Sequence, residues 1–289
     1  MVIFAQSIIH RGSMVKKLSI LVVLCTVVAA CGGGSSSDGK DKKAQAAPKE
    51  QPAQATVSEY AVQYDYRVVE TYPHSDKSYT QGLQYVNGVM WEGTGQKGES
   101  HLQRIDLKTG AVDIVASLPI TEFGEGITHH KEYIYQLTWE QGVAHVYDKR
   151  GKQVKLINYT GEGWGITSDG QNLYMSDGSS NIYIVDDETF KPLKAIDVKL
   201  NTHPLDFINE MEWIDGRIWA NVYLYDLIVI INPATGIVEG YVDMSALRTL
   251  LVDNPAAEAF NGIAYNPSNG HIYVTGKQWN RIFEIEVIK

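Results

Sequence analysis

A two-residue signature returns along the chain: Gly82-Leu83, Gly126-Ile127, Gly165-Ile166 and Gly262-Ile263, with Glu210-Met211 in the corresponding place of the fourth unit, at spacings of 44, 39, 45 and 52 residues. Self-similarity at such a period means that one supersecondary unit is built several times over. Each unit opens on a strand-like run, turns, and closes on a second run, often ending in a turn of Asp-x-x-Thr-Gly type. The first reads Asn87-Gly88, Val89-Met90-Trp91, Leu102 to Asp106 and Lys108-Thr109-Gly110; the fourth reads Asp215-Gly216, Arg217 to Asn221, Leu227 to Asn232 and Ala234-Thr235-Gly236. Short runs of Val, Ile, Tyr and Trp between Gly, Asn and Asp turn signals are an all-β pattern. Four strands in roughly 40–45 residues is the signature of a β-propeller blade.

Five such units fit from Gly82 to Lys289, and the last has room for only three strands, ending in Arg281 to Val287. A five-bladed β-propeller is therefore expected, its ring closed by an N-terminal strand, Val62 to Glu70, joining the C-terminal blade. Closure removes an exposed sheet edge. A pair of β-sandwiches fits less well, because the repeat keeps its phase through the whole domain.

Upstream the texture differs. Met14-Val15-Lys16-Lys17 and the 13-residue apolar run Leu18 to Ala30 read as a signal peptide, too short to span a bilayer. Met14 is a candidate for the true start. The run ends Val28-Ala29-Ala30-Cys31-Gly32, which resembles a bacterial lipobox and makes Cys31 the expected lipidation site. Cys25 and Cys31 are the only cysteines, so a domain beginning after residue 31 has no Cys nucleophile and no Cys-ligated zinc. Residues 32–58, rich in Gly, Ser, Lys, Ala, Pro and Gln, read as a disordered tether. As a flexible coil it would hold the folded part, residues 59–289, about 30 Å from a lipid anchor. Residues 1–31 carry Arg11, Lys16, Lys17 and no acid; of 25 basic residues, 22 then face 34 acidic ones, a net charge of −12. Such a domain is a poor partner for nucleic acid or an anionic lipid surface. The expectation is a monomeric, extracytoplasmic lipoprotein, periplasmic or on the outer membrane, touching the membrane only through its anchor.

In a propeller the opening strands line the central channel, so the residues just before each repeat head gather at one mouth. Here they are Tyr79-Thr80-Gln81, Phe123-Gly124-Glu125, Gly161-Glu162-Gly163-Trp164, Phe207-Ile208-Asn209 and Ala259-Phe260-Asn261. Together they would make an aromatic cup holding a carboxylate or two and several amides, the composition of a small-ligand site. Glu125, between two glycines that let the backbone turn sharply, is a candidate catalytic acid/base. A turn glutamate on the channel rim is the alternative.

Seven motifs, in order, carry a resemblance: Tyr79-Thr80-Gln81-Gly82-Leu83, Phe123-Gly124-Glu125-Gly126-Ile127, Gln136-Leu137-Thr138-Trp139, Glu162-Gly163-Trp164-Gly165, Asn209-Glu210-Met211-Glu212-Trp213, Trp219-Ala220-Asn221-Val222 and Val274-Thr275-Gly276-Lys277. Over about Tyr60 to Lys289 the chain resembles the plant-type glutaminyl cyclases, also found in bacteria. The resemblance implies a five-bladed propeller that converts N-terminal glutamine of peptides or proteins to pyroglutamate and releases ammonia, without cofactor or zinc. It puts the catalytic glutamate on Glu125 and pocket residues on Tyr79, Gln81, Trp139, Trp164, Asn209 and Lys277. A further aromatic position falls on Tyr223, where the family often has tryptophan.

The chemistry can be argued from the residues too. The substrate's α-amine must lose a proton as it attacks its own γ-carboxamide, and the departing nitrogen must gain one. With an α-amino pKa near 8, one carboxylate can relay that proton, a contribution of roughly 10²–10⁴-fold. Phe123, Trp139 and Trp164 would desolvate Glu125 and raise its pKa. Gln81 and Asn209 would fix the amide, while Lys277 would either stabilise the oxyanion of the tetrahedral intermediate or pair with Glu125. Asn209 could instead cap a turn. Glu162, in a similar Gly-Glu-Gly frame, is a candidate substrate contact but is expected chiefly on the rim or as a structural hydrogen-bonder. Trp91, Trp213 and Trp219 are assigned to packing, and Asp206, Asp226 and Asp253 to turns. His129 and His130, adjacent in a strand, point to opposite faces and do not form a metal pair. The competing functions are a propeller lipoprotein that binds peptide termini without turnover and a metal-dependent hydrolase of the lactonase type.

Overall fold

The computed structural model describes residues 61–288, so the signal segment, Cys31 and the tether lie outside the described residues. The chain enters as β1 (Val62–Pro73), three residues longer than expected. Four antiparallel strands follow as one sheet, β2 (Thr80–Val86), β3 (Val89–Thr94), β4 (His101–Ile105) and β5 (Val112–Ser117). The next sheet is β6 (Gly124–His130), β7 (Tyr133–Thr138), β8 (Val143–Asp148) and β9 (Gln153–Asn158), and the third is β10 (Ile166–Ser168), β11 (Leu173–Ser176), β12 (Asn181–Val185) and β13 (Pro192–Asp197). A two-stranded ladder that the repeat does not announce, β14 (Lys199–Leu200) with β15 (His203–Pro204), precedes β16 (Ile208–Ile214), β17 (Arg217–Val222), β18 (Leu227–Ile231) and β19 (Val238–Asp243). The chain ends in β20 (Phe260–Asn266), β21 (His271–Gly276) and β22 (Arg281–Ile288).

Turn chemistry sets the hairpins. Asn87-Gly88 has φ of 51° and 83°, and Asp215-Gly216 has 48° and 78°, the doubly left-handed backbone whose twist matches the strands on either side. β1 then supplies the strand the last unit lacks: it runs antiparallel to β22 from Asp65↔Ile288 to Pro73↔Arg281. Its first residues also pair parallel with β19, Val62↔Gly240 to Tyr64↔Val242, which joins two four-stranded groups into one eight-stranded sheet.

Burial falls from inside to outside. β6, β16 and β20 are almost wholly buried, whereas β5, β9 and β13 are mostly exposed. The opening strands meet one another in a closed cycle, β2 against β6 and β20, β10 against β6 and β16, and β16 against β20. Inner strands packed around an axis with exposed outer strands are the arrangement of a β-propeller. Apolar clusters fill the spaces between sheets; Trp213 stacks on Tyr174, Trp219 packs against the cluster that includes Ile214, Ile228 and Phe260, and Trp91 belongs to the cluster of Leu102 and Ile127, as expected for packing tryptophans.

The repeated glycine has a steric cause. A Cβ on Gly165 would stand 2.0 Å from the Asn209 carbonyl oxygen, and one on Gly126 would stand 2.8 Å from that of Trp164. Neighbouring opening strands thus touch backbone to backbone at the repeat heads. The exception, Glu210, uses its side chain at the axis: Oε1 accepts from Leu83 N at 3.2 Å and Oε2 from Ile263 N at 2.9 Å, tying β16 to β2 and β20.

Candidate active site

Four of the five opening strands carry a register irregularity at their head: between Thr80 and Gly82, Gly124 and Ile127, Ile208 and Met211, and Phe260 and Ile263. A bulge re-aims the side chain that falls in it. The residues in these bulges include Gln81, Glu125, Asn209 and Asn261, all buried. The first three line a cavity of about 200 Å³ together with Tyr79, Phe123, Trp139, Trp164, Tyr223 and Lys277. Every pocket residue that the resemblance implies is in that lining, and so is Phe123.

The walls are an aromatic chain. Tyr79 meets Phe123 edge-on at 6.0 Å, Phe123 meets Trp139 at 5.8 Å, and Trp164 meets Tyr223 at 5.6 Å. Gly178 lets the third of these form, since a Cβ there would lie 2.6 Å from the Trp164 ring. Glu162 holds two walls at once: its Oε2 accepts from the Trp139 indole at 2.7 Å and from the Trp164 indole at 2.9 Å. Of the readings open from sequence it takes that of the structural hydrogen-bonder, and it is absent from the lining.

On the buried side, Gln81 Nε2 donates to Glu125 Oε1 at 3.0 Å, and Asn261 Nδ2 donates to Gln81 Oε1 at 3.4 Å and to the Thr80 carbonyl at 3.1 Å. Asn209 lies within a strand and caps no turn; its Oδ1 is buried without a partner in a cavity-lining residue, free for a ligand N–H. An unmet buried acceptor costs roughly 1–3 kcal/mol, so a donor arriving there would recover much of that.

Burial raises the Glu125 carboxyl well above the ordinary range; the Lys277 charge pulls it down and Glu162 pushes it up. Desolvation outweighs attraction because Lys277 makes no ion pair with Glu125 within 4.0 Å among the described residues. Its Nζ stands instead over the Tyr79 ring at 4.9 Å and the Tyr223 ring at 4.8 Å. Burial lowers the Lys277 pKa, against the pull of Glu125 and Glu258. Tyr79 is fixed in turn by its hydroxyl, which donates to Glu258 Oε2 at 2.9 Å.

Several head residues stay out of the cup. Phe260 packs against Trp279 in the core and Phe207 is nearly half exposed. They were expected to add to the aromatic cup; the alternation of side chains along a strand sends Phe260 to the face opposite Asn261. His129 contacts Gln84 and His130 contacts Ser168 and Asp187, so the two diverge as expected. Among the described residues no group of three or more His, Cys, Asp or Glu could hold a metal ion. Asp226 does more than turn the chain, forming a two-point pair with Arg248 at 2.6 and 2.8 Å. Asn261 and Glu258, which hold the lining from behind, were not assigned these roles from sequence; only their place beside repeat heads gave a signal.

The family model described as glutamine cyclotransferase matches residues 42–287. The chain belongs to the glutamine cyclotransferase family. A curated relative, the glutaminyl-peptide cyclotransferase of Arabidopsis thaliana, is 34% identical over 225 residues, 76% of this chain and 70% of that protein. Among solved structures, the glutaminyl cyclase of Myxococcus xanthus superposes with a TM-score of 0.72 at 32% identity, covering 79% of this chain and 98% of that one. A family whose members are enzymes fits a cavity in which a buried carboxyl, an amide and a lysine face one small space.

Proposed function

We propose that this protein is a glutaminyl-peptide cyclotransferase on a five-bladed β-propeller, closing the N-terminal glutamine of peptides or proteins to pyroglutamate with release of ammonia. The cyclisation forms a bond from the α-nitrogen to Cδ, the carbonyl carbon of the γ-carboxamide, and breaks the bond from that carbon to the amide nitrogen. Glu125 takes the proton from the attacking amine and returns it to the leaving nitrogen. Lys277 stabilises the oxyanion, Gln81 and Asn209 orient the carboxamide, and Tyr79, Phe123, Trp139, Trp164 and Tyr223 hold the side chain folded on its own amine. Orientation of this kind is worth up to about 7–11 kcal/mol in the best intramolecular cases.

The observation that carries this reading is the environment of Glu125: a carboxyl raised by burial toward the range in which it both accepts and donates a proton, at a cavity with aromatic walls. Relay by a side chain is most effective when its pKa lies near the working pH. No metal enters the scheme, and Cys31 anchors the protein outside the cytoplasm through lipid.

The test is ammonia release from a peptide with N-terminal glutamine, with and without a chelator. Absence of ammonia would reject the enzyme reading, and loss of turnover on chelation would reject the metal-free one. Metabolic labelling with palmitate, lost in Cys31→Ala, tests the anchor.

A further inference from the structure

At the seam between the first sheet, β2–β5, and the last, β20–β22, lies a pair of opposite charges that the proposed relay does not use. The side chains of His74 and Glu92 are both fully buried. His74 Nε2 stands 3.1 Å from Glu92 Oε1, and Nδ1 stands 2.7 Å from the Trp279 carbonyl oxygen. Glu92 also receives Thr80 Oγ1 at 2.6 Å on the same oxygen and Gln103 Nε2 at 2.6 Å on the other, and donors of this kind favour the carboxylate. With an acceptor at each ring nitrogen, both nitrogens donate and the ring is an imidazolium. Burial disfavours charge on both groups, yet the partner's charge prevails and holds His74 above its ordinary pKa and Glu92 below its own.

A charged pair is a costly way to fill such a space, since apolar side chains of equal volume often stabilise a core as well or better. What this pair touches is the back of the site. Thr80, bonded to Glu92, lies between the lining residues Tyr79 and Gln81, and its hydroxyl is 3.4 Å from the carbonyl of Gly276, the residue before Lys277. The crossing from His74 to Tyr79 is laced to the loop that carries Lys277: His74 N donates to the Asn280 carbonyl at 3.1 Å, and Gln278 N to the Ser78 carbonyl at 2.7 Å. Gln103 Nε2 reaches the Ser78 hydroxyl as well, at 3.0 Å.

We infer that His74 and Glu92 are positioning residues, a clasp that fixes Thr80 and the Gly276-Lys277 segment in the register that sets Gln81 against Glu125 and Lys277 over the rings of Tyr79 and Tyr223. Neither lines the cavity, so their effect on the reaction passes through Gln81 and Lys277. The clasp rests on the cyclotransferase reading, in which those two residues act on the substrate.

The experiment follows ammonia release from a peptide with N-terminal glutamine, well below the melting temperature, for the parent, Thr80→Val, Thr80→Ser and the paired replacement His74→Leu/Glu92→Met. Thr80→Val removes the hydroxyl at nearly equal volume and leaves the pair in place, whereas Thr80→Ser keeps the hydroxyl. The paired replacement removes both charges together, so that neither is left buried alone, and thermal melts verify each fold. Displacing a reacting group by about 1 Å costs up to about 10²-fold. Thr80→Val and the paired replacement should each lose between about 10-fold and 10²-fold in kcat/KM, and Thr80→Ser should keep most of it. A Lys277 ammonium released from its place moves toward water and away from Glu125, whose pKa it lowers. The acid limb of the Thr80→Val profile should therefore move to higher pH, which a loss of stability alone would not produce. Parental turnover or an unmoved limb in folded Thr80→Val overturns the clasp, as does an equal loss in Thr80→Ser or parental turnover in the folded paired replacement. If the paired replacement does not fold, the two Thr80 variants decide. No ammonia from the parent rejects the cyclotransferase reading and the clasp with it.

Discussion

Gln81 presents its amide N–H to Glu125, Nε2 to Oε1 at 3.0 Å, and no protein donor reaches the other carboxyl oxygen, Oε2, among the described residues. One oxygen is thus committed to the scaffold and the other is available to a ligand. The same bond orients Gln81, whose own carbonyl is held by Asn261.

That division of labour makes Glu125→Gln the sharpest substitution. The amide keeps the shape and can meet Gln81 through its carbonyl, but it cannot carry a proton. Turnover should fall by about 10²–10⁴-fold while the melting temperature stays close to that of the parent. Ammonia release and calorimetry check the two halves; substantial residual turnover would move the relay elsewhere.

Glu162 acts on the site through two tryptophans and through its charge, and two variants separate these. Glu162→Gln keeps a carbonyl oxygen for both indoles but removes the charge that helps raise Glu125. Since the proposed relay must be ionised to accept the first proton, the acid limb of the kcat/KM profile should move to lower pH. Glu162→Ala loses the anchor as well, and misplaced aromatic walls should lower kcat/KM by up to about 10²-fold. Equal defects in the two variants would leave no separate role for the hydrogen bonds.

Lys277→Met should displace the same limb the other way. The lysine charge lowers the Glu125 pKa, so its removal lets burial raise the carboxyl further and moves the acid limb to higher pH. Loss of the proposed oxyanion stabilisation should reduce kcat by about 10²–10³-fold. A pH profile of the variant distinguishes this from simple misfolding, which would not move the limb.

The chain announced its strands and its site more clearly than it announced the supports behind that site. Gly82, Gly126 and Gly165 gave the period because backbone contact at the axis tolerates little else, Gly262 because its φ of 117° disfavours a Cβ, and the turn pairs Asn87-Gly88 and Asp215-Gly216 marked hairpins through local conformation alone. The nine lining residues were legible from position in the motifs, and the structure gathers them in one cavity. What stayed hidden depends on contacts between distant segments. Glu162 bridging two indoles, Glu258 on Tyr79, and the parallel pairing of β1 with β19 each need the ring to form first. Phe260 was misread because periodicity along a bulged strand does not say which face turns to the channel.

Acids at the axis should make the fold sensitive to alkali. Glu212, buried one turn of the pleat beyond Glu210, has its carboxyl pushed up to about 8, chiefly by desolvation. A carboxyl whose folded pKa lies above its unfolded value, ordinarily near 4.3, stabilises the native state at low pH. That contribution declines as pH rises from the unfolded value through the folded one. Melting temperature should therefore fall between about pH 5 and pH 8, and Glu212→Gln should flatten the fall. An equal slope in parent and variant would exclude Glu212 as its source.

Backbone contact at the repeat heads gives the last prediction. Gly165→Ala would drive a Cβ to 2.0 Å from the Asn209 carbonyl oxygen and 2.8 Å from its carbon, where the obstacle is main chain and cannot rotate away. Overpacking of this sort costs about 1–3 kcal/mol or more, and the displaced strand carries the cavity-lining Asn209 with it. Gly88→Ala is the control: nothing lies within 4 Å of its Cβ, and only its left-handed φ of 83° resists the change. That variant should lose about 1 kcal/mol and keep full turnover, because a strained hairpin tip does not move the heads. Gly165→Ala should lose both stability and kcat/KM. Urea melts and ammonia release on the two proteins decide the point, and a Gly165→Ala protein with parental stability would refute backbone contact as the origin of the repeat.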